Sequence, residues 1–582
     1  MKMEESGSKK FHRFDRKFLK SSDKFTCIGD GSLGGKASGL AFINDIINEK
    51  INQDEFPQVE IGIPRLTVIC TDYFDAFLNR NKFLTDVINS DFSDERIAHE
   101  FQKADLPVEI LGDLRSITQE VKTPLSIRSS SMLEDKKDEP FAGIYSTKMI
   151  PNNQITNDER FHKLTEAIKY VYASTFFKAA KDYLAATKHS VLDEKMAVII
   201  QEVVGDRFND KYYPVISGVA RSFNYYSIGK SKPEHGVVNL ALGLGKTIVD
   251  GGITWTYSPA MPKVSPPYAN AGDLLKNTQT KFWAVNMGHI QQYDPINEIE
   301  YLVNSNLPEA DCNGTLKYIA STFSESSNRL VIGIGHDGPR ALNFAPLLQL
   351  NEFGFNGLIK KLLKVCEEAY DNPVEIEFAC TINEIEKKMK FGFLQVRPMV
   401  SYSETVDISE DEISSNNGLI SSNNVLGNGV IENISDVVFV KPESFEKQFT
   451  PRIAEEVDLI NRELIKTKLP YLLMGFGRWG SSDPWLGIPV EWGQIAGAKV
   501  IVESTLPGIN VELSQGSHFF HNLTSFKVSY FSIHHESGKN IDYDWLNSQS
   551  TINEKSFVKH VKLYSPLKIK IDGRLGRGVI LK

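Results

Sequence analysis

The stretch SIRSSSMLEDKKDEPFAGIYS (126–146) runs an apolar strand into Arg128, then three serines and a carboxylate pair. A charged loop follows and closes on Phe141, Ala142 and Gly143. An arginine at a strand end presents a planar guanidinium that grips phosphate oxygens, although in most proteins such an arginine sits in an ion pair. A small-residue loop beside it is able to close over whatever the cation holds and to exclude water.

Three other stretches bear on the same chemistry. GDGSLGGKASGLAFI (29–43) puts glycines, Gly34 and Gly35 among them, around Lys36 and then enters a helix. Glycines let backbone N–H groups approach phosphate oxygens, and a lysine adds a point charge. NLALGLGKTIVDGG (239–252) is a second Gly-rich turn, carrying Gly243 and Gly245. EIEFACTINEIEKKMKFGFLQVRP (375–398) sets Glu375 and Glu377 on one face of a strand, and Gln395 and Arg397 on one face of the next. Carboxylates with an amide oxygen form a hard-ligand set suited to Mg²⁺ on nucleotide phosphates. Taken singly, each stretch also has a structural explanation: a tight turn, a half-buried strand or an ion pair.

Composition narrows the classes. The 582 residues are 41% apolar and 24% charged, as in globular proteins of two to four domains. No run of about 18 uncharged apolar residues occurs, so no membrane span is expected. The net charge is −9 and no concentrated basic run occurs, which disfavours a nucleic-acid partner. The five cysteines, Cys27, Cys70, Cys312, Cys366 and Cys380, are isolated, and the N-terminus lacks a secretory apolar segment. Together these predict a reducing, cytoplasmic setting.

Short β-rich runs alternate with helical patterns as far as residue 402, indicating α+β architecture. VEIGIPRLTVICT (59–71) reads as one strand entering a helix, and 161–187 as one long amphipathic helix. MAVIIQEVV (196–204) reads as a buried strand with YYPVISGVARSF (212–223) as its antiparallel neighbour. Residues 352–371 read as a helix preceding the strand pair that carries Glu377 and Gln395. The acidic, Ser/Asn-rich segment 403–425 reads as an exposed linker. Beyond it, Thr450 is expected as an N-cap, with Ile453, Val457, Ile460 and Leu464 on one helix face.

In order along the chain, these motifs resemble the nucleotide-binding domain of the phosphoenolpyruvate synthase and pyruvate phosphate dikinase family. The family's G-G-K-G-x-x-L is similar to GGKASGL, and its V-P-x-G-F-x-x-T to IPRLTVICT, with Arg65 and Leu66 at the usual Gly-Phe neighbourhood. Its V-R-S-S-A-x-x-E-D…F-A-G-x-x-x-T is similar to IRSSSMLED…FAGIYST, and its V-Q-x-M-V to IIQEVV. Its G-L-G-E is similar to the Gly243 turn, with Lys246 at the acid's place, and its D-I-E-W…Q-x-R-P to EIEFA…QVRP.

The resemblance implies an α+β fold of ATP-grasp type with two subdomains over residues 25–402; beyond the linker, 426–582 reads as a smaller β-rich C-terminal domain. Residues 1–24 would be a tail. It implies phosphate contacts from Lys36, Arg128 and Arg397, and a loop of Phe141, Ala142 and Gly143 over the triphosphate. Gln201, Glu202 and Val204 would line adenine, and Glu377 and Gln395, with Glu375 replacing an aspartate, would hold Mg²⁺. The activity implied is an ATP-dependent phosphotransferase releasing AMP and phosphate.

Full-length relatives continue into a swivelling phosphohistidine domain and a barrel that binds pyruvate or phosphoenolpyruvate. Such a barrel needs about 250 residues, and about 160 follow the linker, so a complete phosphoenolpyruvate synthase is not expected. In the remaining segment, Gly475, Gly477 and Gly480 mimic a dinucleotide fingerprint, but a proline turn follows where a helix is required. Trp479, Trp485 and Trp492 beside Arg478, Asp483 and Glu491 suit either a packed β core or a sugar- or base-like acceptor. SQGSHFFHNLTSF (514–526) offers His518 as a phosphohistidine carrier, although a hydrogen-bonded structural histidine explains it as well. The acceptor is thus His518 or a small molecule. The alternatives are a regulatory ATP-binding module without transfer, or one half of a split enzyme with a partner polypeptide; a homodimer is also compatible.

Overall fold

The structure is a computed structural model describing residues 11–16, 24–134, 143–186, 194–224, 231–264, 270–289, 292–399, 406–414, 417–481, 485–506, 523, 528–535 and 541–582. Mixed sheets and helices alternate along it.

The apolar run Met196–Glu202 becomes the middle of a six-stranded sheet, between Leu66–Ile69 and Leu125–Ser131. Six of its seven residues are buried, as a strand covered on both faces requires. Arg128 pairs with Ile199 across one ladder and with Thr147 across the other. His12–Arg13 extends this sheet at its edge, with Phe11 and Phe14 buried beside it, so the tail expected over 1–24 contains a sheet strand.

A second six-stranded sheet carries the acidic strand pair. Its order is Trp255–Tyr257, Val237–Ala241, Ile216–Arg221, Val374–Asn383, Lys388–Pro398 and Val59–Gly62. Two sequence expectations are corrected here. The run 59–71 is two strands in two sheets, Val59–Gly62 and Leu66–Ile69, because Pro64 interrupts the ladder between them. Ile216–Arg221 pairs with Val237–Ala241 and Val374–Asn383, not with Met196–Glu202, since Pro214 separates it from Lys211–Tyr213 in a third sheet. The helix expected over 161–187 is also two, Asn157–Ser174 and Lys178–Ala186. Between them the N–H groups of Thr175, Phe176 and Phe177 each bond three residues back, a tightening that ends an α-helix.

From Gly418 onward a nine-stranded sheet forms, in which Asn428–Val440, Tyr471–Phe476, Ala498–Ser504 and Ser529–Ile533 run parallel. Gly418–Ser422 and Val425–Leu426 are strands of this sheet, with Leu419, Ile420, Val425 and Leu426 buried, so that end of the stretch expected as a linker is packed structure. Helix Thr450–Lys466 buries Ile453, Val457, Ile460 and Leu464; Thr450, the expected cap, is its first residue, Pro451 its second, and Phe449 is the N-cap, one position earlier than expected. Alternation splits the sheet's side chains between two cores. Val437 and Phe439 join the core on one face, whereas Val438 and Val440 join Ile453 in a core that also holds Phe74, Phe77 and Tyr172 of the N-terminal half. No helix among the described residues is long and apolar enough to cross a membrane.

Candidate functional site

The three serines at the end of Leu125–Ser131 are fully buried, and each holds a neighbour. The Ser130 hydroxyl donates to Leu33 O at 2.8 Å and accepts from the Ala37 N–H at 3.1 Å, fastening the helix Gly34–Lys50 at its first turn. The Ser131 N–H donates to Glu134 Oε2 at 2.9 Å, and the Ser129 hydroxyl to Glu134 Oε1 at 3.0 Å. Gly34 and Gly35 serve this joint. Gly34 has φ +74°, and a Cβ on it would lie 1.8 Å from Ser130 O; one on Gly35 would lie 1.8 Å from Glu134 O. Both glycines therefore let the helix touch the strand end; neither lines the cavity that Lys36 enters.

Lys36 reaches that cavity with its ammonium 2.7 Å from Glu134 Oε1 and 3.1 Å from Ser129 Oγ. Arg128 crosses to the second sheet. Its guanidinium donates to Gln395 Oε1 at 2.8 Å, to Leu394 O at 3.0 Å and to Gln201 Oε1 at 3.3 Å. Arg397, 2% exposed, donates to Glu375 Oε1 at 2.9 Å and to Glu377 Oε1 at 2.7 Å, while the other Glu377 oxygen stands 4.0 Å from Arg128. Register accounts for the convergence: Glu377 lies directly opposite Gln395, and Glu375 opposite both Arg397 and Arg221.

Glu375 is a correction. Arg221 takes its second oxygen at 2.6 Å, so this fully buried carboxylate is held between two guanidinium groups and does not line the cavity. Its work is to fix Arg397.

These residues wall a cavity of ≈ 540 Å³, within the range of small-molecule sites. Lys36, Arg128, Gly143, Gln201, Glu202, Val204, Gly245, Glu377, Gln395 and Arg397 all line it; Gly243 stands outside, in the turn behind Gly245. Phe141, Ala142 and His518 lie outside the described residues. Sequence reasoning missed Glu134, the counter-ion of Lys36, and Glu298, which takes the Thr147 N–H at 3.2 Å on the cavity wall. Burial raises the Glu298 carboxyl above its ordinary range despite Lys246 nearby. Buried Lys148 clamps this wall, donating to the carbonyls of Pro295 and Asn297 at 2.7 and 2.9 Å and pairing with Glu300 at 2.8 Å. No sequence motif marks Glu298 or Lys148. Lys246, which stands where an acid was expected, pairs with Asp250 one helical turn on at 2.9 Å.

The tryptophans divide. Trp479 and Trp492 are buried and Trp485 is 66% exposed. Trp479 donates to Val502 O at 3.2 Å, a packing role, whereas Trp492 lines the cavity.

Four cations, Lys36, Arg128, Lys246 and Arg397, line the cavity together with six carboxylates, and Arg397 and Lys246 are paired with two of them, Glu377 and Asp250. The family described as pyruvate phosphate dikinase, AMP/ATP-binding domain, matches residues 30–417. The chain belongs to this family. The matched segment holds every residue lining the cavity except Gly480, Val490, Glu491 and Trp492, and with the family comes AMP/ATP binding of the phosphotransferase kind. No curated protein matches the chain.

The residues fit the nucleotide. Gln201 is 2% exposed and lines the cavity, and its buried side-chain N–H₂ has no hydrogen-bond partner among the described residues, a donor that a nucleotide base could satisfy. They fit a magnesium ion held chiefly by phosphates as well. Among the described residues no group of three acidic, histidine or cysteine ligands gathers, while one carboxylate, Glu377, stands beside one amide oxygen, Gln395.

Proposed function

We propose that the chain is an ATP-dependent phosphotransferase using Mg²⁺, with an ATP-grasp arrangement over residues 25–402 and a C-terminal domain over 426–582. Overall, ATP, an acceptor and water give AMP, phosphate and the phosphorylated acceptor. The observation that carries this reading is the convergence of Lys36, Arg128 and Arg397 with Glu377 and Gln395 on one cavity wall.

Lys36, Arg128 and Arg397 would neutralise the phosphates, and Gln201 with residues 202–204 would seat the base. Glu377 and Gln395 would hold Mg²⁺, which supplies charge neutralisation at the phosphates. Phosphoryl transfer asks a protein mainly for positioning and charge, and this set provides both. Gly143, at the base of the loop expected to close over the triphosphate, supports water exclusion. The acceptor is His518 or a small molecule. A regulatory module needs no metal ligands, so Glu377 and Gln395 favour the enzyme.

The test is incubation of the full chain with ATP, Mg²⁺ and an acceptor panel, followed by separation of nucleotides. AMP and phosphate are the expected products. ATP left unchanged with every acceptor, together with tight ATP binding, would establish the regulatory module instead.

A further inference from the structure

The sequence GFGRWG (475–480) carries strand Tyr471–Phe476 into a closely built turn. The Gly477 N–H donates to Ser504 O at 2.9 Å, the Arg478 N–H to Leu486 O at 3.0 Å and the Gly480 N–H to Ile488 O at 2.9 Å. Trp479 is 1% exposed, and its backbone N–H donates at 2.8 Å to Oε1 of the buried Glu503. A neighbouring segment closes on this backbone so tightly that a Cβ on Gly487 would lie 2.0 Å from Arg478 O. The main chain on both sides of Arg478 is therefore fixed, and the path of its side chain with it.

That side chain crosses to the other half of the chain. Arg478, itself buried, donates from Nη1 to the carbonyl of Gly251. Gly251 ends helix Lys246–Val249. Its N–H bonds to Ile248 O at 3.1 Å and the Gly252 N–H to Thr247 O at 2.8 Å, the paired closure that a left-handed residue makes after a helix. With φ +72°, Gly251 takes that conformation without strain. The closed helix belongs to the cavity wall: Gly245, Lys246, Val249 and Asp250 line it, and Gly480 lines it from the turn. A helix of four residues has little hold of its own. Ile248 packs on Val219 and Ala241, and Arg478 holds the end with a charged donor, the stronger kind of hydrogen bond.

We propose that Arg478 is a positioning residue for nucleotide binding. By holding Gly251 it fixes helix Lys246–Val249, and through it sets the Lys246 ammonium toward the phosphates of the nucleotide. Lys246 and Asp250 are paired at 2.9 Å and move with the helix as one unit, so Arg478 sets where the pair stands and not whether it forms. The nucleotide site is complete only with the C-terminal half in place. The inference rests on nucleotide binding in the cavity and not on phosphoryl transfer.

Calorimetric titration of the full chain with α,β-methylene-ATP and Mg²⁺, and separately with adenosine, tests this. Arg478→Ala is expected to weaken α,β-methylene-ATP about tenfold, the scale of one charged hydrogen bond, and adenosine by less than about twofold, because adenosine has no phosphate for Lys246 to meet. Ethylguanidinium, the part of the side chain that the substitution deletes, should restore most of the loss, and ethylammonium should not. Ile569→Val, in the core on the other face of the nine-stranded sheet, lowers Tm and should leave both affinities unchanged, which tells a general loss of stability from loss of the contact. Where circular dichroism shows Arg478→Ala unfolded, Arg478→Gln keeps the stem and is expected to show the same selective loss. Unaltered affinity for α,β-methylene-ATP in the folded variant, an equal loss for adenosine, or failure of ethylguanidinium to rescue folded Arg478→Ala overturns the inference. If the unsubstituted chain binds neither probe, the reading of this cavity as the nucleotide site falls and the inference with it; binding that is indifferent to Arg478 removes the inference alone.

Discussion

Glu377 stands between two guanidinium groups, 2.7 Å from Arg397 and 4.0 Å from Arg128, so its carboxylate is already partly neutralised within the protein. Arg128→Ala removes the side chain that joins the two sheets at the cavity. AMP formation is expected to fall by about 10²-fold or more in kcat/KM, the scale of losing one charge-stabilising donor, and steady-state nucleotide assays check it. Glu375→Gln should act on stability first. It leaves Arg221 and Arg397 buried with one fewer charge between them, at a cost of about 3–5 kcal/mol readable by urea denaturation. Lys36, Arg128, Gln395 and Arg397 were legible as residues of one cavity because their motifs follow one another in a family's order along the chain, although each motif alone has a structural explanation. Glu375 was legible as an acid on the right strand but not in its use, because strand periodicity gives a face and only cross-strand register shows which partner waits there. Glu298 had no signal at all, since a long loop with no pattern of its own carries it to the wall.

Elements turn on the joint at Ser130. Gly34→Ala would set a Cβ against a backbone carbonyl at a left-handed φ, so a loss of at least ~2 kcal/mol is expected, seen as a lowered Tm together with weakened nucleotide binding. The other side of the same loop is held by Glu194. It accepts from the Met132 N–H at 3.1 Å and from the Tyr145 hydroxyl at 3.0 Å, at either end of the segment that closes on Gly143. Burial pushes its carboxyl up from 4.5 to about 7. The folded chain therefore keeps a proton that the unfolded chain gives up between pH 4.5 and about 7. Stability is fullest below that window and declines as pH rises through it, by on the order of 3 kcal/mol. Thermal melts of Glu194→Gln from pH 5 to 8 should lack this decline. Strands and helices were largely visible in the apolar patterning. What patterning missed were the breaks: Pro64 and Pro214 divide runs that read as continuous, and the serine and threonine after Ala173 end a helix whose apolar spacing continues past them.

At the scale of the whole molecule, the chain's two halves share a core in which Ile453, Val457 and Tyr471 sit with Phe74, Phe77 and Tyr172. Residues 1–417 alone would expose that surface, so the truncated chain is expected to aggregate or bind hydrophobic dye, checked by light scattering and circular dichroism. Removing Mg²⁺ with a chelator should abolish AMP formation and leave the Tm of the nucleotide-free protein unchanged, since among the described residues no metal cluster supports the fold. Composition and linker-like polarity suggested separable parts; the shared core could not be read from them, because it depends on which face of a sheet meets which helix.

That shared core bears on how a phosphoryl group could travel. A domain that ferries its cargo across tens of ångströms must part from its neighbour in every cycle, and it can do so only where little oily surface is uncovered. Here parting would wet a continuous aromatic and aliphatic seam each time. On the phosphotransferase reading, donor and recipient are therefore expected to meet in a stationary vessel, and turnover should be indifferent to a crosslink pinning helix Lys178–Ala186 to helix Thr450–Lys466.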